Sequence, residues 1–198
     1  MKLYFIRHGE TDWNRELKIQ GQTDNPLNET GRQEAKKASA CLKCVSFDAA
    51  FTSPLIRARE TAETILEGKD CRLLEDPRLI EISYGCREGQ SLKWIKKLPV
   101  LRLYNYFYHT ERYHPPKGGE TIAELFARCR DFLNEIARRE DEWDGVLIAA
   151  HGGLIRGMIC VTEGLSEADF WSGNNQKNCS VTVLECKNSY KVLKQAVS

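Results

Sequence analysis

Short strand-like runs alternate with helical segments along most of this chain. Six runs are typical of buried strands, at 3–6, 49–52, 72–74, 146–150, 181–185 and 190–195. Between them, apolar residues recur three or four positions apart, as they do along one face of a helix. Strands joined by helical crossovers form mostly parallel sheets covered by helices, so this alternation predicts an α/β sandwich.

The predicted helices begin at local start signals. Asn28 is of a residue type that caps helices, and Thr121 with Glu124 has capping-box spacing. Proline suits the first helical turn, which favours a helix that follows Pro54. The five predicted helices are 29–43 and the segments that follow Pro54, Thr121, His151 and Ser166.

Length and charge exclude several classes of protein. The 198 residues suffice for one domain with a sizeable core. A formal net charge of +1 gives no basic field for nucleic acid or an anionic membrane. The sequence has no apolar run of about 18 residues, as a membrane span needs, and charge directly follows the short N-terminal run, unlike in a secretory signal. We therefore expect a cytoplasmic protein that binds neither nucleic acid nor membrane.

The eight cysteines do not form a metal-binding pattern. Only Cys41 and Cys44 have C-x-x-C spacing, and no second close pair completes a zinc site. We interpret all eight as reduced thiols and expect no metal site.

The segment 91–119 differs from the rest of the chain because it is rich in aromatic residues, basic residues and proline. It interrupts the alternation of strands and helices, so we interpret it as a helical insertion within the single domain. Such an insertion over one end of the sheet would pack as a flap and could act as a substrate lid. His109 and His114 lie in this flap, where packing or solvated roles are expected of them.

Chemically versatile side chains follow four of the predicted strands. Ligands bind beyond the carboxyl ends of the strands in open α/β sheets, so residues at these ends are expected to meet. The strand ends deliver Arg7-His8-Gly9, Thr52-Ser53-Pro54 with Arg57 in the next helix, Glu81, and His151-Gly152-Gly153.

These residue types suit a phosphoryl group. Arginine presents a planar fork of donors that keeps its charge, so Arg7 and Arg57 are predicted clamps. A neutral imidazole is a nucleophile toward phosphorus, and nearby arginines disfavour the imidazolium form of His8. His151 supplies a further donor to the transferring group. Glu81 is placed to protonate a leaving alkoxide, in a partly desolvated pocket that favours the protonated acid.

Structural roles are open for some of the same residues. Arg57 could pair with Glu60 or Glu63 on its own helix, and Asn14 could simply cap a turn. The chemistry alone does not separate Glu81 from other acids near it in sequence, which are Glu75, Asp76 and Glu88.

Five blocks of the sequence resemble one enzyme family. They are RHGETDWN, GQTDNPLNETGRQEA, TSPLIRARETA, LIEISYG and AAHGGLIRG, in the family's order from residue 3 to about residue 185. Over this length the chain is similar to the histidine phosphatase superfamily, also called the phosphoglycerate-mutase-like family. The resemblance implies a three-layer α/β/α sandwich, a small phosphate ester as substrate, and no need for a metal or other cofactor.

The resemblance also implies roles within the site. His8 matches the histidine that becomes phosphorylated, and Arg7, Arg57 and His151 match the rest of its phosphate pocket. Glu81 matches the proton donor that later activates water. Further matches line the phosphate or the rest of the substrate, namely Asn14, Gln20, Gly21 and Gly152, the last through its backbone N–H.

Three functions remain open on this pocket. A phosphatase would hydrolyse the phosphohistidine, whereas a mutase would return the phosphoryl group to a second hydroxyl. The mutase branch typically has a longer insertion with an adjacent arginine pair and has Asn where this chain has Gly153, so the resemblance favours the phosphatase. The aromatic flap suggests α-ribazole 5′-phosphate, a sugar phosphate or a nucleotide as substrate. An inactive binding module would usually lack one of the catalytic residues, all of which this sequence contains.

Overall fold

A six-stranded sheet forms the centre of the molecule. The computed structural model describes residues 1–95, 97 and 102–197, and this part of the chain contains all six predicted strands. They are β1 (Lys2–Arg7), β2 (Ala49–Thr52), β3 (Leu73–Glu75), β4 (Gly145–Ala150), β5 (Val181–Cys186) and β6 (Tyr190–Val197). Each agrees with its predicted range to within two residues at either end.

The sheet is mostly parallel, as predicted. Its strand order is β3-β2-β4-β1-β5-β6. The first four strands run parallel, with β2 between β3 and β4 and with β1 beside β4. At the other edge, β5 and β6 are antiparallel. The carboxyl ends of the four parallel strands therefore lie together at the same end of the sheet.

Helices fill the connections between the strands. Within the described residues they are α1 (Asp12–Arg15), α2 (Glu29–Cys41), α3 (Ile56–Leu66), α4 (Leu92–Ile95), α5 (Arg102–Tyr108), α6 (Ile122–Ala137) and α7 (Gly152–Glu163). The side chain of Asn28 caps α2 by accepting from the N–H of Gly31. Thr121 and Glu124 form the predicted capping box of α6.

One helix prediction is confirmed and one needs correction. A helix follows Pro54 as predicted; it begins at Ile56, whose N–H donates to Asp24 Oδ1 at 2.8 Å, so that Pro54 lies just outside its first turn. The helix expected after Ser166 is a single 3-10 turn, Glu167–Asp169. The residues that follow this turn contact the aromatic flap.

The two faces of the sheet are covered by different helices, which confirms the three-layer sandwich. Leu3 and Phe5 of β1 belong to one apolar core with residues of α6 and α7. Ile6, on the opposite face of the same strand, belongs to a second core with residues of α2 and α3. Successive strand residues point to opposite faces, so a single strand contributes to both cores.

The aromatic segment 91–119 is helical where the structure describes it, while residues 96 and 98–101 of this prediction lie outside the described residues. Tyr106 of α5 is fully buried, and its ring centroid lies 5.1 Å from that of Tyr84 and 5.4 Å from that of Trp171. Trp171 Nε1 donates to the carbonyl of Tyr106 at 2.6 Å. The flap is thus attached to the chain that follows the 3-10 turn at 167–169. Among the described helices, none combines the length and the apolar character needed to traverse a bilayer.

Candidate active site

His8 and His151, which follow β1 and β4, lie side by side at the carboxyl ends of the parallel strands. Arg7, the last residue of β1, is paired in register with Ala150, the last residue of β4. The next residues are therefore neighbours: the N–H of His8 donates to the carbonyl of Ala150 at 3.0 Å, and the rings of His8 and His151 are 5.2 Å apart. Two parallel strands in register bring together residues that are far apart in sequence.

His8 is held as a neutral imidazole with one free nitrogen. Its Nδ1 lies 2.7 Å from the carbonyl oxygen of Gly9, and because a carbonyl only accepts, Nδ1 carries the proton. The lone pair is then on Nε2. Burial, followed by the charges of Arg57 and Arg7, holds the pKa of His8 well below its ordinary value of 6.5. At neutral pH the ring is uncharged, with its lone pair on Nε2.

Two guanidinium groups flank this imidazole. Arg57 is only 1% exposed and donates to the carbonyls of Gly21 and Thr23 at 2.7 and 2.8 Å. Arg7 donates to the carbonyl of Gln176 at 2.7 Å. Burial lowers the pKa of both arginines, to about 10 for Arg57, where the charge of Glu81 opposes the effect. Both groups therefore stay cationic at neutral pH.

The alternative pairing of Arg57 with acids on its own helix is not present. Its two terminal nitrogens are occupied by the loop carbonyls. Glu60 instead accepts the N–H of Leu27 at 3.3 Å. Carbonyl partners leave the positive charge of Arg57 uncompensated by a direct carboxylate contact, which suits an anion-binding site.

Three buried nitrogens around His8 have no hydrogen-bond partner among the described residues. They are Arg7 Nε, Arg57 Nε and His151 Nδ1. The other ring nitrogen of His151 lies 2.8 Å from Ser53 Oγ. Burial and then the charge of Arg57 hold the pKa of His151 well below 6.5. Unpaired buried polar groups are costly, so their grouping beside one imidazole indicates a site for an anion.

Glu81 accepts three backbone hydrogen bonds. Its Oε1 accepts from the N–H groups of Ile82 and Leu154, each at 2.9 Å, and its Oε2 from that of Gly153 at 3.1 Å. The last two donors belong to the first turn of α7. Such donors stabilise an ionised carboxylate.

The predicted residues surround a cavity of about 130 Å³. Seven of the nine predicted site residues line this cavity directly, namely Arg7, His8, Asn14, Gln20, Gly21, Arg57 and Glu81. His151 lies behind His8, and a Cβ placed on Gly152 would be 3.6 Å from Arg7 Nε. A larger depression of about 440 Å³ lies elsewhere, against α3, and Glu63 and Glu67 in its lining make it unsuited to an anion.

Asn14 combines the two roles that the sequence left open. Its Oδ1 accepts the N–H of Thr11 at 3.1 Å and completes the capping box of α1. It also lines the cavity, as does Gln20, whose Oε1 accepts from Thr11 Oγ1 at 2.9 Å. The buried Thr11 thus fixes two amide side chains at the wall.

Several residues around the site were not among the predicted site residues, although Leu92 and Phe107 belong to the predicted flap. Tyr84 lines the cavity, as do Ile19, Leu92 and Phe107. Asn178 Nδ2 donates to the carbonyl of His8 at 3.0 Å. Because β5 runs antiparallel to β1, the loop before Val181 lies at the tip of β1. The polar run NNQKN before this strand carries no pattern that would have placed it there.

The chain matches known proteins over nearly its whole length. The model of the histidine phosphatase superfamily (branch 1) matches residues 3–197. Phosphoserine phosphatase 1 of Hydrogenobacter thermophilus is 31% identical over 93% of this chain and 87% of its own. A 2,3-bisphosphoglycerate-dependent phosphoglycerate mutase 2 of Gloeobacter violaceus is 34% identical over 83% of this chain and 76% of its own.

A solved structure supports the same relationship. The mycobacterial glucosyl-3-phosphoglycerate phosphatase in complex with VO3 superposes with a TM-score of 0.89 at 30% identity, over 100% of this chain and 99% of that one. Fold, motif order and overall similarity therefore agree with the resemblance seen in the sequence. The chain belongs to the histidine phosphatase superfamily, in its branch 1.

Proposed function

We propose that this protein is a phosphatase that hydrolyses small phosphomonoesters through a phosphohistidine on His8. One observation carries the proposal: the neutral imidazole of His8 lines one cavity with Arg7 and Arg57 and lies beside His151, and each of these three neighbours has a buried nitrogen without a partner among the described residues. A phosphoryl group would satisfy these nitrogens while presenting its phosphorus to Nε2 of His8.

In the first half-reaction, the lone pair on His8 Nε2 attacks phosphorus and the bond from phosphorus to the leaving oxygen breaks. The leaving oxygen takes a proton from Glu81, so an alcohol departs and Glu81 becomes a carboxylate. Glu81 enters this step as the protonated acid. The arginines stabilise the charge on the equatorial oxygens.

In the second half-reaction, water attacks the phosphohistidine and the phosphorus–nitrogen bond breaks. Glu81, now ionised, accepts the proton of the water, and the electron pair returns to Nε2 of His8. Inorganic phosphate leaves, with both side chains as they began. The three N–H donors to Glu81 stabilise the form that this step requires.

The partly apolar wall of the cavity supports hydrolysis over phosphoryl return. Its lining contains the apolar side chains of Ile19, Leu92 and Phe107 together with the cation Lys18. Arg138 and Arg139, the adjacent arginine pair of this sequence, lie beyond the end of α6 and outside the flap. A mutase remains the second candidate because a mutase relative is 34% identical. An α-ribazole or sugar phosphate as substrate, and a cytoplasmic location, stay predictions.

The test is to incubate the protein with p-nitrophenyl phosphate and, separately, with 3-phosphoglycerate plus a bisphosphoglycerate primer, both with a chelator. We expect hydrolysis of the first and little isomerisation of the second. His8→Ala should lower turnover by several orders of magnitude because the covalent route is lost. His114→Ala, which alters an exposed histidine of the flap, is the matched control and should keep full activity.

A rapid quench under alkaline conditions with a ³²P-labelled ester should place label on residue 8. Efficient isomerisation would establish the mutase instead. Turnover without label on His8 would refute the covalent mechanism. A folded wild-type protein that binds phosphate but turns over neither compound would favour the inactive binding module.

A further inference from the structure

The position of the Arg57 guanidinium depends on one loop. Within residues 20–24, the carbonyls of Gly21 and Thr23 accept from its two terminal nitrogens at 2.7 and 2.8 Å. The third nitrogen, Nε, has no partner among the described residues. Any displacement of the loop would therefore move the guanidinium relative to His8.

One carboxylate, that of Glu88, binds the middle of that loop. Glu88 Oε1 accepts the N–H groups of Gln22 and Tyr84 at 3.0 and 3.1 Å. Its Oε2 accepts the N–H of Thr23 at 2.9 Å and the hydroxyl of Thr23 at 2.6 Å. Charge-assisted hydrogen bonds of this kind are stronger than neutral ones. Glu88 therefore connects the 20–24 loop to the chain that carries Tyr84 into the cavity wall.

The backbone of the loop is adapted to this carboxylate. Gly21 has a φ of +53°, in the left-handed region where glycine carries no steric penalty. A Cβ at this position would lie 2.1 Å from Glu88 Oε1. A larger residue at position 21 would thus displace either the loop or the carboxylate.

The other contacts of the loop do not replace those of Glu88. Gln22 Nε2 donates to the carbonyl of Glu81 at 3.0 Å, and Asp24 caps the first turn of α3. These bonds hold positions 22 and 24, whereas Glu88 binds the segment between the two carbonyls that contact Arg57. Its charge also opposes, after those of Glu81 and Asp24, the lowering of the pKa of Arg57 that burial causes.

We propose that Glu88, which does not line the cavity, is a positioning residue that orients Arg57 toward the transferring phosphoryl group through the 20–24 loop. This inference rests on the proposed function, because it gives Arg57 the role of a phosphate clamp. A displacement of about 1 Å in such a group can cost on the order of 100-fold in rate.

The test is a double-mutant cycle between Glu88→Ala and Arg57→Ala. Two quantities are measured: kcat/KM for p-nitrophenyl phosphate and, by calorimetry, the affinity for inorganic phosphate. We expect Glu88→Ala alone to lower both by about 10- to 100-fold. In the Arg57→Ala background the same change should alter kcat/KM by less than about twofold, because the group it positions is gone. Glu88→Gln, which keeps one acceptor oxygen, should restore part of the loss.

Asp48→Ala is the matched control. The Asp48 carboxylate also accepts two backbone N–H groups, those of Asp144 and Gly145 at 2.7 and 3.0 Å, but at the amino end of β4. This variant should leave phosphate affinity and kcat/KM within about twofold of wild type. An equal loss in Asp48→Ala and Glu88→Ala would assign the effect to general destabilisation and overturn the proposal.

The proposal would also be overturned if the loss in kcat/KM of the double variant equalled the product of the two single losses. Glu88 would then act independently of Arg57. If Glu88→Ala does not fold, Thr23→Val takes its place in the cycle, because it keeps the side-chain shape and removes the 2.6 Å bond. A loss of a few-fold that disappears in the Arg57→Ala background supports the proposal, and an equal loss in both backgrounds refutes it. Should wild type bind phosphate without turnover, the proposed function fails, while the cycle on phosphate affinity still decides the role of Glu88.

Discussion

The two histidines of the site are anchored through opposite ring nitrogens. His8 is fixed by Nδ1 on the carbonyl of Gly9, which leaves Nε2 free with a lone pair. His151 is fixed by Nε2 on Ser53 Oγ, which leaves Nδ1 buried and unpaired. Since Ser53 Oγ already accepts the N–H of Leu55 at 3.3 Å, its own hydrogen is available for His151. This arrangement favours a proton on His151 Nδ1, which suits the roles proposed above, with one ring as nucleophile and the other as donor.

Gly153 is the residue whose substitution tests the placement of Glu81 most directly. A Cβ at this position would lie 2.8 Å from Glu81 Oε1 and 2.9 Å from the hydroxyl of Tyr106, both closer than such contacts normally come. Gly153→Ala should therefore displace the carboxylate and slow turnover by about 100-fold or more, within the range of general acid–base catalysis. The loss should be larger for alkyl phosphates than for p-nitrophenyl phosphate, whose leaving group needs little protonation.

The comparison variant for Gly153→Ala is Glu81→Gln, measured alone and in combination. Because both changes act on one carboxylate, the double variant should be little slower than Glu81→Gln. The affinity for inorganic phosphate should be retained in all three, since the arginines are untouched. Full alkyl-phosphatase activity in Gly153→Ala would show that Glu81 is not the acid.

At the scale of elements, the position of α5 determines the outer wall of the cavity. Phe107 of this helix lines the cavity, and the preceding carbonyl, that of Tyr106, accepts from Trp171 Nε1 at 2.6 Å. Trp171→Phe removes this hydrogen bond, which should destabilise the protein by about 1 kcal/mol. It should raise KM for substrates with bulky leaving groups and leave the inhibition constant of inorganic phosphate unchanged.

Trp143→Phe is the control for this prediction, since Trp143 packs on Phe51 near the amino end of β4, away from α5. Steady-state kinetics on a small and a bulky ester, together with urea unfolding, distinguish the two variants. If Trp171→Phe also raised the inhibition constant of inorganic phosphate, the flap would contribute to phosphate binding as well.

Much of the fold and of the site could be predicted from the sequence, because the site residues follow predicted strands. Arg57 lies 49 positions after His8, yet both could be assigned to one edge because each follows a strand of a parallel sheet. Gln176 and Asn178 were missed for a physical reason. Their place at the tip of β1 depends on the antiparallel pairing of β5, and a polar loop without periodicity does not reveal that pairing. Glu88 was seen only as an alternative acid, since its backbone partners lie in another loop.

At the scale of the whole molecule, the site makes folding stability depend on pH. The pKa values of His8 and His151 are both held well below 6.5 in the folded state, chiefly by burial. In the unfolded chain these rings take up protons as the pH falls through about 6.5. The unfolded state then binds more protons than the folded state, so the free energy of unfolding should decrease as the pH falls below this value.

The expected slope is about 1.4 kcal/mol per pH unit for each buried histidine once the pH is well below 6.5. Urea unfolding at several pH values between 7.5 and 5 measures it. His8→Ala and His151→Ala should each remove about half of this slope, whatever their effect on stability at pH 7.5. Asp48→Asn is the control: hydrogen bonds from Gly145 and Asp144 lower the pKa of Asp48 below 3.8, so its contribution is lost only at more acidic pH. A slope that survives removal of both histidines would show that the two rings are not buried in their neutral form, and the nucleophile assigned to residue 8 would lose its physical basis.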